Sequence, residues 1–328
     1  MSFDRIGVIG GGAWGSALAQ VAAEGGDVLL WAYEAEVVAA INGAHENPLF
    51  LPDIALSPAI RATNALDDLR DCDAWLVVTP AQHLRAILGQ TPDCGVPLIL
   101  CSKGVESPSG LLTSEVVAEV RPGSPVAVLS GPTFAHEVAA GLPTAVTFAC
   151  ADEALGAALA ARLARPAFRP YLSTDVIGAE IGGAIKNVLA IACGVVEGRG
   201  LGQNARSALI SRGFAEMTRF GLARGARAET LAGLSGLGDL VLTCSSTSSR
   251  NFSLGKGLGE GRSAAELMAD RRTVAEGAFT APILAEVAAR AGVDMPIVAA
   301  VCALLAGEAD VDEVVGRLLA RPIRNEGE

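Results

Sequence analysis

Short apolar runs recur through the first half of the chain, separated by longer stretches in which apolar residues repeat with helical spacing. The apolar runs lie at 5–9, 27–31, 74–78, 97–101, 125–129, 144–150 and around Tyr171. The stretches with helical spacing lie at 16–23, 81–89, 111–120 and 152–164. A strand that is apolar at nearly every position is buried on both faces, and parallel neighbours need a helical connection. The alternation therefore predicts an α/β fold built on a doubly wound parallel sheet.

Beyond residue 175 the pattern changes, because strand-like runs stop and Ala-, Leu- and Gly-rich helical stretches take over. These stretches predict helices at 176–197, 205–224, 228–232, 263–269, 280–290, 296–305 and 311–319. A chain of 328 residues is long enough for two domains. We therefore predict an N-terminal domain at 1–175 that holds the sheet and a C-terminal all-helical domain at 176–328.

The charge balance narrows the classes of partner. The chain has 25 Lys and Arg against 36 Asp and Glu, which gives a net charge of −11. Such a field repels phosphate backbones and anionic lipid, so neither nucleic acid nor a membrane is expected as a partner, and an anionic ligand would need a local basic site. The mean hydropathy is +0.41, but no uninterrupted apolar stretch of about 18 residues occurs.

The N-terminus and the cysteines indicate a cytoplasmic protein. The first residues lead into a strand pattern rather than a basic region followed by a long apolar segment, so no secretion signal is expected. The seven cysteines show no spacing suited to zinc, and the three histidines have no matching partners for a metal or a catalytic triad. We expect reduced cysteines and no metal.

A glycine-rich turn follows the first predicted strand and opens a helix. Gly10, Gly12 and Gly15 match the spacing G-x-G-x-x-G. In that pattern the first glycine permits a tight turn, the second lets backbone approach a pyrophosphate, and the third lets the helix pack on the strand. This context favours a dinucleotide bound to a Rossmann-type sheet, and an ordinary tight turn is the alternative.

The residues after the second predicted strand bear on which dinucleotide binds. Glu34 follows Tyr33, and no Lys or Arg occurs between Arg5 and Arg61. A carboxylate there would bind the 2′-hydroxyl of NAD, whereas a 2′-phosphate would need a cation. Glu34 thus favours NAD, although the same carboxylate could cap the following helix.

One lysine and one asparagine, Lys186 and Asn187, interrupt an otherwise apolar or small-residue helix that runs from Ile181 to Ala192. Burial and a second cation would both lower the pKa of Lys186, which suits a group that exchanges a proton with a substrate oxygen near neutral pH. The alternative is a lysine at the helix edge whose stem covers apolar surface while its ammonium reaches water.

Two later segments offer groups for an anionic substrate. Asp239 follows a glycine-rich stretch, and Ser249, Arg250 and Asn251 come about ten residues later. Arginine binds phosphate or carboxylate with a bidentate fork, serine and asparagine add neutral hydrogen bonds, and Asp239 could accept from a substrate hydroxyl or orient Lys186. The alternatives are that Asp239 caps a helix and that 249–251 form a solvated turn.

Polar residues also follow two predicted strands, at the edge where open α/β sheets bind ligands. Lys103 follows the strand at 97–101, and Gly131 and Thr133 follow the strand at 125–129. These positions indicate a ligand at the carboxyl ends of the strands. Alternatively, Lys103 lies in an exposed turn and Gly131 simply turns the chain.

Taken together, these motifs closely resemble the bacterial-type NAD(P)-dependent glycerol-3-phosphate dehydrogenases, and the resemblance covers almost the whole chain. The matching segments occur in the family's order: Trp14–Ala19 after the glycine turn, Ser102–Gly104, Ser130–Ala135, Glu180–Asn187, Gly236–Leu240, Ser249–Asn251 and Val274–Gly277. The set is far more specific than the glycine fingerprint alone.

The resemblance implies roles for individual residues, with Lys186 as the proton donor and acceptor. The residues that would contact glycerol phosphate are Lys103, Gly131, Thr133, Lys186, Asp239, Ser249, Arg250 and Asn251. The residues that would contact the dinucleotide, NAD or NADP, are Gly10, Gly12, Trp14, Gly15, Tyr33, Lys103, Ala135, Arg250, Val274 and Glu276.

Three positions depart from the family's pattern. Ala13 stands where serine is usual, which removes a hydroxyl near the pyrophosphate, and Tyr33 stands where a basic residue is common. The preference between NAD and NADP therefore stays open. Thr133 replaces the usual serine and keeps the hydroxyl.

The resemblance implies an oxidoreductase that interconverts dihydroxyacetone phosphate and sn-glycerol 3-phosphate by hydride transfer and feeds glycerophospholipid synthesis. Lys186 would act as general acid/base, Lys103 would help it stabilise the developing alkoxide, and Arg250 with its neighbours would hold the phosphate. The alternatives are a related two-domain hydroxy-acid or hydroxyacyl dehydrogenase and a non-catalytic dinucleotide sensor. A homodimer is compatible with the second domain, because its small apolar residues suit a helix interface as well as a core.

Overall fold

The computed structural model describes residues 3–269 and 275–322. Its described residues divide into two compact units. The first comprises the chain up to Lys103 together with Thr113–Ala179, and the second comprises Gly104–Leu112 together with the chain from Glu180 onward. The boundary predicted near residue 175 lies close to the division at Ala179, whereas the sequence does not predict that Gly104–Leu112 belongs to the second unit.

The first unit is built on strands and short helices that alternate along the chain. Its strands are β1 (Arg5–Ile9), β2 (Asp27–Trp31), β3 (Glu46–Asn47), β4 (Leu51–Ala55), β5 (Ile60–Thr63), β6 (Ala74–Val77), β7 (Leu98–Leu100), β8 (Val126–Ser130), β9 (Thr144–Cys150) and β10 (Phe168–Ser173). Its helices are α1 (Ala13–Ala23), α2 (Ala35–Ala44), α3 (Leu84–Gln90), α4 (Thr113–Val120), α5 (Ala135–Ala139) and α6 (Glu153–Leu163), and 3-10 turns lie at Leu66–Asp71 and Ala81–His83.

Eight of these strands form one sheet in the order β10-β9-β8-β7-β6-β1-β2-β5, and β3 pairs with β4 apart from it. The order runs outward from β1 in both directions, which is the doubly wound arrangement and confirms the predicted fold class. Strands β1, β2 and β6 bury almost every side chain, as their continuous apolar runs predict. The carboxyl ends of these parallel strands share one edge of the sheet.

One pairing differs from the all-parallel expectation. β9 runs antiparallel to β8, and β10 runs parallel to β9, so these two strands oppose the other six. The only helix between β8 and β9 is α5, whose five residues span about 8 Å, whereas β8 itself is about 16 Å long. β9 starts at the edge where β8 ends and runs in the opposite direction.

As predicted, the described residues of the second unit are helical outside their turns. The exception is a hairpin at Gly104–Leu112, which is closed by an antiparallel bridge between Val105 and Leu112. The helices of this unit are α7 (Val176–Gly198, which begins in the first unit), α8 (Gly202–Ala223), α9 (Ala228–Leu231), α10 (Asp239–Thr243), α11 (Arg250–Gly259), α12 (Ala264–Leu267), α13 (Glu276–Arg290), α14 (Pro296–Ala306) and α15 (Val311–Leu319). A π-helical turn, Leu234–Gly238, leads directly into α10. The sequence pattern did not indicate this turn, α10 or α11.

Helix α7 is long and apolar enough to cross a membrane by length and composition, and it is the one such helix among the described residues. Of its most apolar segment, 89% is buried inside the protein. The core helix of a folded domain passes the same test, and the burial of α7 matches that case.

Helices α7 and α11 touch backbone to backbone through glycines. Gly194 and Gly198 on α7 lie against Gly255 and Gly259 on α11, and a Cβ added at any of the four would come 1.9–2.4 Å from a carbonyl oxygen of the other helix. No real Cβ approaches another heavy atom so closely, so only glycine fits at these positions. The contact therefore fixes the start of α11 relative to α7.

Candidate functional site

The predicted glycine turn joins β1 to α1, and each of its three glycines has a distinct place. Gly10 has φ of +123°, a conformation that favours glycine. A Cβ at Gly15 would lie 1.8 Å from the Gly10 carbonyl oxygen, so the helix rests on the turn. Gly12 is the N-cap of α1, no side chain caps the helix there, and a Cβ added to it would meet nothing within 4 Å.

These features fit the pyrophosphate of a dinucleotide. The first amides of a helix have no partner within the helix, and an anion is stabilised by them and by the helix dipole. At Gly12 the chain leaves open space beside those amides instead of a capping side chain. Trp14 and Ala135 are both half-buried, and they open α1 and α5.

Tyr33 and Glu34 follow β2 at the same edge of the sheet. The Tyr33 side chain is 83% exposed. Glu34 occupies the N-cap position of α2, but its side chain makes no capping hydrogen bond. The carboxylate therefore does not serve the helix as the capping alternative requires.

Lys103, Gly131 and Thr133 meet at the carboxyl ends of β7 and β8. The Lys103 Nζ donates to the Gly131 carbonyl oxygen at 3.3 Å, and the Thr133 Oγ1 donates to the same oxygen at 3.4 Å. A Cβ at Gly131 would lie 2.9 Å from the Val146 Cα, so this position has no room for a side chain.

Two buried hydroxyls at this edge have no hydrogen-bond partner among the described residues. They are the Oγ1 of Thr79, which follows β6, and the Oγ of Ser130, which ends β8. An unsatisfied buried hydroxyl costs about 1–3 kcal/mol, so these groups mark places where a ligand or a bound water would complete the site. Thr79 was missed by the sequence analysis, although it follows a predicted strand just as Ser102 and Ser130 do.

Lys186 lies at the centre of a buried hydrogen-bonded cluster in the second unit. Its Nζ donates to the Asp239 Oδ1 at 2.7 Å and to the Thr243 Oγ1 at 2.9 Å, and the Thr243 hydroxyl also donates to the Asp239 Oδ1 at 3.2 Å. Lys186 is 7% exposed, Asp239 0% and Thr243 3%. The alternative of an ammonium that reaches water is therefore wrong, and the charged group that Lys186 contacts at 2.7 Å is the Asp239 carboxylate.

Close packing of backbone on backbone positions the cluster of Lys186, Asp239 and Thr243. A Cβ at Gly182 would lie 2.4 Å from the Ser235 carbonyl oxygen, so α7 presses against the π-helical turn one helical turn before Lys186. Asp239 begins α10, and Thr243 follows it by four residues, which places both on one helix face. The N-cap of α10 is Gly238, so Asp239 is not a capping residue. From the sequence, Thr243 is a candidate only as the first residue of the Ser- and Thr-rich stretch Thr243–Ser249, and the four-residue spacing from Asp239 is the signal that singles it out.

Ser249, Arg250 and Asn251 begin α11. Ser249 is its N-cap and accepts a hydrogen bond from the Phe252 amide at 3.2 Å. The Asn251 Oδ1 accepts from the Gly277 amide at 2.9 Å, and both Ser249 and Asn251 are buried. The solvated-turn alternative is therefore wrong for these two residues, whereas the Arg250 side chain is exposed.

The start of α13 packs against α7 next to Lys186 and against the start of α11. A Cβ at Gly277 would lie 2.5 Å from the carbonyl oxygen of Asn187, the residue after Lys186. Glu276, the first residue of α13, is half-buried beside it. Val274, the remaining residue proposed for the cofactor, lies outside the described residues.

The residue after Thr243 is a buried thiol that stays neutral. Cys244 is fully buried, and burial together with a hydrogen bond to Cys193 raises the pKa of the Cys244 thiol well above its usual value. All seven cysteines are free thiols, as the sequence predicted. The Cys244 thiol lies beside the ion pair of Lys186 and Asp239.

Comparison with known proteins gives a consistent result over the whole chain. The model of the NAD-dependent glycerol-3-phosphate dehydrogenase N-terminus matches residues 5–156, and that of the corresponding C-terminus matches residues 175–316. The chain is 62% identical to glycerol-3-phosphate dehydrogenase [NAD(P)+] 1 of Sphingopyxis alaskensis, over 100% of this chain and 99% of that protein. It is 65% identical to glycerol-3-phosphate dehydrogenase [NAD(P)+] of Erythrobacter litoralis, over 99% and 98%.

Solved structures agree with this result. The crystal structure of glycerol-3-phosphate dehydrogenase from Coxiella burnetii matches with a TM-score of 0.92 and 37% identity, covering 98% of this chain and 100% of that one. A D-mandelate dehydrogenase matches with a TM-score of 0.60 and 13% identity, covering 93% and 98%, which shows a shared fold alone. This chain belongs to the family of NAD-dependent glycerol-3-phosphate dehydrogenases.

Proposed function

We propose that the protein interconverts dihydroxyacetone phosphate and sn-glycerol 3-phosphate with NAD(P)H, and that Lys186 donates and accepts the proton. The observation that carries this proposal is the buried Lys186 ammonium, held by the Asp239 carboxylate and the Thr243 hydroxyl. A side chain held at two points keeps its position as charge develops on a substrate, which is the condition for effective acid–base and electrostatic catalysis.

The dinucleotide supplies or accepts the hydride when it is bound. The open space at Gly12 and the uncapped first turn of α1 support binding of its pyrophosphate there. The other residues proposed to contact it are Gly10, Trp14, Gly15, Tyr33, Lys103, Ala135, Arg250, Val274 and Glu276. Glu34, whose side chain does not cap α2, would accept from a ribose hydroxyl and so favours NAD over NADP.

Lys186 and Asp239 act as a unit during proton transfer. In reduction, the carbonyl oxygen at C2 gains negative charge, Lys186 stabilises that charge and its ammonium gives the proton. In oxidation, the neutral amine of Lys186 takes the proton from the hydroxyl. Asp239 stabilises the charged form of Lys186, and Thr243 orients both side chains through its two hydrogen bonds.

The start of α11 suits the phosphate. Because the Asn251 Oδ1 accepts from the Gly277 amide, the orientation of the side-chain amide is set and its NH₂ group can donate to an anion. The Ser249 oxygen accepts from the Phe252 amide, so its O–H can donate in the same way. Arg250 adds a guanidinium fork and the helix adds its dipole. Lys103, Gly131 and Thr133 would complete the substrate contacts.

This function fits a cytoplasmic enzyme that feeds glycerophospholipid synthesis. Its partner is a small phosphorylated molecule, and the net charge of −11 opposes binding of nucleic acid or an anionic membrane. A homodimer is compatible with the composition of the helical domain.

The test is oxidation of NADH and NADPH, in parallel, by the purified full-length protein given dihydroxyacetone phosphate. Acetoacetyl thioesters and 2-keto acids serve as control substrates. Turnover with the triose phosphate alone supports the proposal, and the ratio of the two rates gives the cofactor preference. Binding of both cofactors without turnover of the triose phosphate would overturn it.

The role of Lys186 is tested by Lys186→Ala, which we expect to lower kcat by about 10²- to 10⁴-fold while the far-UV circular dichroism stays unchanged. Lys256→Ala is the matched control, because Lys256 lies on α11 with its side chain 42% exposed. We expect it to retain wild-type kcat. A folded Lys186→Ala variant with near-normal turnover would show that another group transfers the proton.

A further inference from the structure

A short hairpin formed by β3 and β4 lies beside the glycine turn of the first unit, apart from the main sheet. β3 ends at Asn47, which is 0% exposed. A buried side-chain amide is stable only when its two N–H donors and its oxygen have partners, so the contacts of Asn47 show what this residue holds in place.

The Asn47 side chain bonds to the glycine turn and to the helix that follows it. Its Nδ2 donates to the Gly11 carbonyl oxygen at 2.8 Å and to the Oγ of Ser16, in α1, at 2.8 Å. Its Oδ1 accepts from the amide of Phe50, which lies between β3 and β4, at 3.3 Å. Both N–H groups and the oxygen of the side-chain amide are thus engaged, and the β3–β4 hairpin is tied to the turn through this side chain.

Other contacts fix the first part of the turn against the end of β2. The Gly10 amide donates to the last carbonyl oxygen of β2 at 3.0 Å, and a Cβ at Gly11 would lie 2.5 Å from the Ala32 Cβ. The next peptide group joins Gly11 to Gly12, and glycine adopts a wider range of backbone conformations than other residues. The orientation of this peptide therefore depends on what binds its carbonyl oxygen, and that partner is Asn47.

The carbonyl of Gly11 and the amide of Gly12 belong to one planar peptide group. Cis peptide bonds in the described residues are confined to Ser107–Pro108, so this peptide is trans and its N–H points away from its oxygen. Because the oxygen faces the buried Asn47, the Gly12 N–H faces away from the β3–β4 hairpin. Gly12 is the N-cap of α1, beside the open space proposed for the pyrophosphate. Rotation of this peptide by half a turn would present an oxygen to the anion in place of an N–H.

We propose that Asn47 is a positioning residue for the dinucleotide, because its bond to the Gly11 carbonyl keeps the Gly12 amide directed towards the pyrophosphate. An amide that is held in place before the ligand arrives loses little conformational freedom on binding, which favours affinity. Asn47 itself is buried and acts through the turn. This inference rests on the proposed function, in which the pyrophosphate binds at the glycine turn, and it adds a residue of the β3–β4 hairpin to the groups that shape the binding site.

The first variant is Asn47→Ala, which removes the donor to the Gly11 carbonyl. Binding of NADH is measured without substrate by titration of its fluorescence. We expect its Kd to rise by about 10-fold or more, since hydrogen bonds to charged groups are among the stronger ones in proteins. ADP-ribose carries the same pyrophosphate without the nicotinamide, so its Kd, measured by calorimetry, should rise by the same factor. In steady-state assays KM for NADH should rise, whereas kcat at saturating NADH should stay within about twofold of wild type.

Asn42→Ala is the matched control, because Asn42 is another asparagine of the first unit whose side chain makes two hydrogen bonds to backbone. Its Nδ2 donates to the Ala62 carbonyl oxygen at 2.9 Å and its Oδ1 accepts from the Ala62 amide at 2.9 Å, so it joins α2 to β5. The change removes these two bonds and lowers the melting temperature without altering a contact of the glycine turn. We expect wild-type Kd values for NADH and ADP-ribose.

Asn47→Ser provides the same test if Asn47→Ala does not fold, because serine keeps a polar group at the buried position but ends one bond earlier than the asparagine amide. A folded variant at Asn47 with wild-type Kd for NADH would overturn the proposal. A loss of affinity for NADH that ADP-ribose does not share, or an equal loss in Asn42→Ala, would also overturn it. Wild-type protein that binds NADH without turnover of dihydroxyacetone phosphate would overturn the proposed reaction, and the Kd values would still decide the role of Asn47.

Discussion

Glu216 places a buried carboxylate at the start of a neighbouring helix, and this makes stability depend on pH. Glu216 lies on α8 and is 2% exposed. Its Oε1 accepts from the Ile297 amide at 2.8 Å and its Oε2 from the Val298 amide at 3.4 Å, both in the first turn of α14. Burial raises the pKa of Glu216 to about 7, because loss of hydration outweighs the two amide hydrogen bonds, which lower it.

The size and the sign of this pH dependence follow from the linkage between protonation and folding. The pKa of this carboxyl group is 4.5 in the unfolded chain and about 7 in the folded protein. Between pH 4.5 and about pH 7 the group is therefore mostly protonated in the folded state and mostly ionised in the unfolded state. The folded state then binds more protons, so the free energy of unfolding falls as the pH rises through this window. A shift of this size corresponds to about 3 kcal/mol, since one pKa unit is about 1.4 kcal/mol.

The experiment compares wild type with Glu216→Gln in urea unfolding at several values between pH 4.5 and pH 8. Glutamine keeps an oxygen for the Ile297 amide but does not titrate. Carboxyl groups that do not interact with Glu216 contribute equally to both proteins and cancel in the difference; Asp294, which helps to raise the pKa of Glu216, is not among them. We expect the free energy of unfolding of wild type, relative to the variant, to fall by about 3 kcal/mol between pH 4.5 and pH 8.

Two results would refute this reasoning. A difference that does not change with pH would show that the pKa of Glu216 is the same in the folded and unfolded states. A difference that rises with pH would show that the α14 amides stabilise the charged carboxylate more than burial destabilises it. Glu308→Gln, at an exposed position of the same unit, is the matched control for the loss of one carboxylate.

Two further predictions concern the cluster and the helix contact. Thr243→Val removes the hydroxyl that forms hydrogen bonds with both Lys186 and Asp239. We expect kcat to fall by about 10-fold or more in steady-state assays, while the melting temperature Tm falls little. An unchanged kcat would show that the carboxylate alone orients the lysine. Gly255→Ala places a Cβ 1.9 Å from a carbonyl oxygen of α7, and we expect a Tm lower by about 5 °C or more in thermal melts. The control Gly43→Ala lies in α2 with open space around its Cβ and should melt at or above the wild-type temperature; equal Tm for the two variants would contradict the close contact.

The strands that the sequence predicted are those with continuous apolar runs, such as β1 and β6, because burial on both faces leaves a strong local pattern. β5 was missed, because it has one neighbour in the sheet and buries only alternate residues. The direction of β9 was also missed, because the apolar pattern of a strand does not encode the direction in which it pairs with its neighbour.

Some residues of the candidate site could likewise be identified from the sequence, and others could not. Lys186 could be identified from the sequence, because a charged residue in an apolar helix is conspicuous. Its partner could not be chosen, since Asp239 was equally consistent with a helix cap, and the pairing depends on how the π-helical turn packs on Gly182. The sequence also gives no local sign that Gly104–Leu112 belongs to the second unit, because the rest of that unit begins at Glu180.

The glycine contact between α7 and α11 has a consequence for experiments that substitute every position in turn. Gly194, Gly198, Gly255 and Gly259 admit no side chain, so variants at these sites would lose activity as completely as variants of Lys186. Ranked by activity alone, the four would be mistaken for active-site residues, although all four lie in the interface between the two helices. Protein abundance measured alongside activity would separate the two groups, because the glycine variants would lose both.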